Sequence, residues 1–173
     1  KFNKILSFEP HGRIFEILSS NVKHFKNIDC FNFGLGKKNC KINLFEDQQN
    51  FGASSSMNTS ESKNSFEVEI KKLDDFFSKM TGKISVIKID VEGMEHDVLL
   101  GAKSIINQDK PIICFEQNKK EFDNNCNETN SIDLLRASGY KILVSGIEKD
   151  HIKQNWIYRR LRNFFWIFFG VTQ

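Results

Sequence analysis

The stretch from Ile84 to Val91, Ile-Ser-Val-Ile-Lys-Ile-Asp-Val, constrains this sequence more than any other. Its density of β-branched residues is that of a central strand covered on both faces. Gly93 follows and permits a tight exit, and beyond it Met94, Val98, Ala102, Ile105 and Ile106 recur at helical spacing. A buried strand feeding an amphipathic helix is half of a parallel crossover unit, so a fold built around it is α/β.

The rest of the chain repeats that order. Lys4 to Glu9 reads as a short buried strand halted by Pro10, and Ile14, Ile17, Leu18, Val22 and Phe25 give a helical stripe from Gly12 to Phe25. Ile28 to Phe33 is a second strand, closed by Gly34-Leu35-Gly36. Lys41 to Phe45 and Phe66 to Ile70 alternate as hairpin or edge strands do, with a loop rich in Ser, Asn and Gly between them. Leu73-Asp74-Asp75 starts a short helix that Asp74 or Asp75 is placed to cap, and Glu95 and Asp97 sit where a helix dipole favours negative charge. Pro111 to Glu116 is a strand ending in a carboxylate, Ser131 to Ala137 a helix, and Tyr140 to Val144 a strand. Strands alternating with helices predict a doubly wound, mostly parallel sheet with helices on both faces, occupying residues 1–150.

A chain of 173 residues, 39% hydrophobic and 27% charged, suits one soluble domain with a core of real size. Its net charge of +3 makes no strong case for nucleic acid. Cys30, Cys40, Cys114 and Cys126 show neither a CxxC pair nor zinc-ligand spacing, which favours a reducing cytoplasm, and Cys30 and Cys114 lie in apolar runs expected to be buried. Residues 151–173 form a basic, aromatic tail whose apolar run, Phe164 to Phe169, is far below the roughly 20 residues that span a bilayer. Packing of the tail on the sheet is its first reading, ahead of a peripheral anchor at the inner membrane face or an oligomer contact, with nucleic acid a distant third.

In open α/β sheets ligands bind beyond the carboxyl ends of the strands. Three of the expected strands carry acids there: Glu9, then Asp90 with Glu92, then Glu116. Taken singly each is as readily a solvated loop residue or a helix cap, and their shared edge is what favours a site. Glu9 is placed to accept hydrogen bonds from both hydroxyls of a nucleoside ribose, which suits NAD and S-adenosylmethionine alike, and no GxGxxG is present to support a dinucleotide.

The strings Phe8-Glu9-Pro10, Gly52-Ala53-Ser54-Ser55, Leu73-Asp74-Asp75, Ile87-Lys88-Ile89-Asp90-Val91-Glu92-Gly93-Met94-Glu95 and Leu99-Leu100-Gly101-Ala102 together resemble the FkbM family of methyltransferases, from about Ile5 to Glu116. The resemblance implies an enzyme with the Rossmann-like class I methyltransferase fold, S-adenosylmethionine as donor, and a hydroxyl acceptor on a sugar, polyketide or other metabolite. It implies that Glu9, with Pro10 beside it, binds the ribose, that Gly34, Leu35 and Gly36 border the adenine, and that Asp90 and Glu92 stand next to the transferable methyl. Asp90 and Glu92 are then the candidate bases, with His96 and Glu116 behind them. Asp90, Glu92, Glu95, His96 and Asp97 also have donor chemistry suited to magnesium or manganese, but their spacing fits no metal motif and no metal is assigned.

Such enzymes open with a strand and a glycine turn of the kind Asp-Val-Gly-Ala-Asn-x-Gly, and nothing like it precedes Lys4. The expectation is therefore a sheet missing its first strand, with the Lys4 to Glu9 and Ile84 to Val91 strands lacking their shared neighbour, and weak binding of S-adenosylmethionine by this chain. The competing readings are a nicotinamide-dependent oxidoreductase and a truncated, non-catalytic domain whose tail binds a membrane or a protein partner.

Overall fold

The computed structural model describes residues 2–46, 54–55, 65–91, 93–115, 130–143 and 169–172. In chain order the elements are β1 (Lys4–Phe8), α1 (Gly12–Val22), β2 (Ile28–Phe31), β3 (Gly34–Leu35), β4 (Cys40–Glu46), β5 (Ser54–Ser55), β6 (Ser65–Lys71), α2 (Leu73–Phe77), β7 (Lys83–Ile89), α3 (Glu95–Gly101), α4 (Lys103–Asp109), β8 (Ile112–Phe115), α5 (Asn130–Ala137) and β9 (Phe169–Thr172). The main sheet has the order β2-β1-β9-β7-β8, and β3-β6-β4-β5 form a second. The pairs β1 with β2 and β7 with β8 are parallel, as expected of strands joined through helices. The α/β fold with parallel strand pairs agrees with the Rossmann-like reading of the sequence.

The core is built on β1 and β7. Leu6 and Phe8, with Ile84, Ile87 and Ile89, pack against Val98, Leu99, Ile105 and Ile106 from α3 and α4 and against Leu73 and Phe77 from α2. Each fully buried aliphatic side chain is worth about 1.5 to 3 kcal/mol relative to exposure, so this cluster dominates the stability. A smaller cluster of Leu44, Val68 and Ile70 holds β4 to β6, whose antiparallel register runs from Cys40 opposite Ile70 to Phe45 opposite Ser65. That is the hairpin pattern anticipated for Lys41 to Phe45 and Phe66 to Ile70.

The expected gap between β1 and β7 is filled. β9 lies between them, antiparallel to both, with Leu6 and Ile87 each opposite Phe169. Two parallel strands side by side present unpaired backbone edges, and a short extended segment of either direction satisfies both. The register slips between Ile84 and Val86, where the antiparallel newcomer meets β7. A part of the tail thus belongs to the sheet, as its packing reading anticipated, while residues 151–168 lie outside those described.

Other departures are local. α1 ends at Val22, and Ile17 and Phe25 are 60% and 58% exposed, so of the anticipated stripe only Leu18 is buried. The helix after β7 breaks at Ala102, whose ψ of 12° lies off the helical value, giving two helices where one continuous stripe was read. Gly34 and Leu35 are not a closing loop but a strand parallel to β6. Residues 140–143 form no strand, and instead the Tyr140 hydroxyl donates to the carbonyl of Pro111 at 3.0 Å. Cys30 is half-buried and Cys114 exposed, because Ile112 and Cys114 point away from the core along β8. Among the described residues no helix is long and apolar enough to cross a membrane.

Candidate active site

Because β1 and β7 run parallel to each other on either side of β9, their carboxyl ends reach the same edge of the sheet. Leu6 and Ile87 face the same residue of β9, and Glu9 and Asp90 each lie three residues farther on. The two acids therefore stand at one level, separated by two strand spacings, about 10 Å. The sequence placed them on a common edge, and the register makes them a pair.

Glu9 is half-buried. Its Oε1 accepts the backbone N–H of His11 at 2.7 Å, and its second oxygen takes no hydrogen bond from any described residue. Burial pushes the Glu9 carboxyl above the ordinary glutamate range, and the hydrogen bond from the His11 amide and the nearby His11 ring pull the other way. Its main chain is fixed from both sides: the Glu9 amide donates to the carbonyl of Phe31 at 3.0 Å, and Asn32 Nδ2 donates to the carbonyl of Glu9 at 2.9 Å. Beneath lies a cluster of Phe8, Phe31, Phe33 and Phe76, with centroids 4.9 to 5.8 Å apart, which holds the ends of β1 and β2 together. An open cleft of about 420 Å³ is lined by Pro10, His11, Arg13, Asn32 and Phe66 among others.

Gly34, Leu35 and Gly36 are buried, and their surroundings are protein. A β carbon on Gly34 would lie 2.7 Å from Ile70 Cδ1 and 3.5 Å from Pro10, and one on Gly36 would lie 2.8 Å from Ile70 Cγ2. The Gly36 amide donates to the carbonyl of Lys71 at 3.0 Å, extending the β3 to β6 pairing. The two glycines thus leave room for the Ile70 side chain of β6, a packing role that applies with or without a ligand nearby.

At the end of β7, Asp90 is largely buried, its side chain 17% exposed, and Oδ2 is held by Lys88 Nζ at 2.9 Å. The reading of the sequence passed over Lys88, although a residue two positions earlier along a strand shares its face. After Asp90 the chain turns at Gly93, whose φ of +97° suits glycine. The Gly93 N–H donates to Glu95 Oε1 at 3.1 Å. Glu95 is 1% exposed, and its Oε2 is buried without a partner among the described residues. From the sequence alone it has only a favourable place at a helix start, and no pattern of charge flags its burial. His96 is half-buried rather than turned to water, with Nδ1 buried and unpartnered among the described residues. Asp97 pairs with Lys37 at 3.2 Å, tying the loop after β3 to α3. Glu92 and Glu116 lie outside the described residues, as do most residues of the Gly52 to Ser56 loop. Among the described residues no three His, Cys, Asp or Glu side chains converge as a metal site.

A family model described as the methyltransferase FkbM domain matches residues 3–142. No curated protein matches the sequence. Among solved structures, methyltransferase FkbM from Methylobacillus flagellatus is similar at 17% identity and a TM-score of 0.45, over 66% of this chain and 26% of that one. The chain thus spans about a quarter of the length of that protein.

Proposed function

The chain belongs to the methyltransferase FkbM family, and on that footing we propose that it moves a methyl group from S-adenosylmethionine to a hydroxyl of a sugar, polyketide or other metabolite. The observation that carries this reading is the pairing of Glu9 and Asp90 at one level of the sheet edge, one half-buried with a single oxygen taking the His11 amide and the other held by a lysine. The chemistry of Glu9 fits a nucleoside: its second oxygen, which the His11 amide does not take, is an acceptor for ribose hydroxyls, in a setting where aromatic side chains fix the strand ends.

When bound, S-adenosylmethionine supplies a methyl on a positively charged sulfur. Glu9 holds the ribose, and Asp90 stands where the acceptor hydroxyl approaches. With the donor bound, Asp90 would take the acceptor's hydroxyl proton on the oxygen that Lys88 does not hold, as that hydroxyl oxygen takes the methyl and the neutral thioether is left behind. Lys88 fixes the direction of that carboxylate.

Calorimetry with S-adenosylhomocysteine and with NAD tests the cofactor, and Asp90→Asn tests the base. Binding of the thioether but not of the dinucleotide is expected, with turnover in Asp90→Asn lowered about a hundredfold or more at nearly unchanged cofactor affinity. Selective binding of NAD would remove the proposal.

A further inference from the structure

Glu95 is a buried carboxylate that the reaction as described leaves unused. One of its oxygens caps the Gly93 amide, and the other meets no donor among the described residues. No described lysine, arginine or histidine forms an ion pair with it, whereas Asp90 has Lys88, Asp97 has Lys37 and Asp29 has Lys4. Holding the Gly93 turn needs one neutral acceptor, and an amide oxygen serves as well as a carboxylate. Burying a carboxylate without a countercharge is costly, and the start of α3 and the Gly93 amide offset that cost only in part. An ionised Glu95 therefore favours a cation beside it, and no described residue pairs with it to supply one.

Resting on the methyl-donor reading, we propose that Glu95 is a specificity-determining residue that recognises the positive charge of the donor's sulfur, acting through the field of its buried carboxylate rather than by contact. Glu95 opens α3 just beyond the turn that follows Asp90, and its Oε1 accepts the Gly93 amide of that turn. A charge in a poorly solvated region acts on another several ångströms away without touching it, and salt screens it little. The spent donor, S-adenosylhomocysteine, is a neutral thioether of nearly the same shape. Glu95 then favours the loaded donor over the spent one, while Asp90, already neutralised by Lys88, contributes little to that distinction.

The test is a pair of affinities. Glu95→Gln keeps the shape and an acceptor for Gly93 but removes the charge. Calorimetry on wild type and variant with S-adenosylmethionine and S-adenosylhomocysteine is expected to show the preference for the charged ligand reduced about tenfold, equivalent to about 1.4 kcal/mol, with affinity for the neutral ligand kept. The reduction is expected to persist in 1 M sodium chloride. A purely structural role moves both affinities together, and that result, or no change in either, overturns the inference while leaving the methyl-donor reading intact. Binding of neither ligand by the wild type defeats that reading and the inference with it. Should Glu95→Gln fail to melt cooperatively, the wild type decides: affinity for the neutral ligand tenfold or more above that for the charged one overturns the proposal.

Discussion

The carbonyl oxygen of Gly36 approaches Gly101 so closely that a β carbon on Gly101 would stand 2.0 Å from it. Gly101 is the last residue of α3, and Gly36 directly follows β3, the short strand that pairs with β6. The Leu-Leu-Gly-Ala string in which Gly101 lies is thus a point of close backbone approach between α3 and the segment after β3.

Gly101→Ala is accordingly expected to destabilise by about 1 to 3 kcal/mol, since backbone and not a flexible side chain must give way. At this chain length each kcal/mol lowers the melting temperature by about 2 to 4 °C. Urea denaturation measures it, and an unchanged midpoint would mean that α3 and β3 sit farther apart.

Glu9 carries a prediction of sign. Burial raises its folded pKa, so between the ordinary and the raised values the folded chain holds a proton that the unfolded chain has lost. Its contribution to stability is present below the ordinary value and is lost as pH rises through the raised one. A ribose bound through the ionised carboxylate has the opposite preference, so nucleoside affinity is expected to rise with pH across that window. Glu9→Gln should flatten both trends, weaken S-adenosylhomocysteine binding by about 1.5 to 3 kcal/mol, and leave the fold intact. An affinity that falls with rising pH in the wild type would exclude Glu9 from the site.

Asp74 caps a helix other than its own. Its two oxygens accept the amides of Ser104 at 2.9 Å and Ile105 at 3.1 Å, at the start of α4, while α2 has Lys72 at its N-cap and no side-chain cap. Asp74→Ala is expected to cost about 1 to 2 kcal/mol and Asp75→Ala, whose partner Asn39 is exposed, less than about 1 kcal/mol. Equal losses in thermal melts would contradict this division of labour.

Removal of residues 169–173 takes away the strand that links β1 to β7. Hydrogen exchange at Lys4 to Leu6 and at Ile84 to Ile87 should then speed up, with a lower and broader melt. Unaltered protection at those amides would show that β9 does not occupy the slot in solution.

The elements legible in the sequence were those whose signal is local. β7 is dense in β-branched residues, β4 and β6 alternate, and Glu9 and Asp90 end apolar runs, so each was placed without knowledge of its neighbours. What escaped depended on contacts distant in sequence. Asp74 looks like a cap for the helix it begins, and only the packing of α2 on α4 shows that it serves the other. Glu95 carries the same letter as a solvated glutamate, and its burial is a property of what covers α3. The filling of the central slot depends on a partner near residue 170, paired in a direction that no periodicity encodes.

The antiparallel insertion also bears on how the chain finds its fold. Lys4 meets Val171 and Lys83 meets Thr172, so the middle of the main sheet is closed by pairings among the longest-range the chain makes. Helix-linked pairs such as β1 with β2 and β7 with β8 need only modest loops to close, and should assemble early as two separate half-sheets. Joining them waits on a much larger loss of chain entropy, which raises contact order and slows folding. During that wait each half-sheet displays an open apolar edge, so self-association during refolding should grow with protein concentration and fade once the last strand is in place.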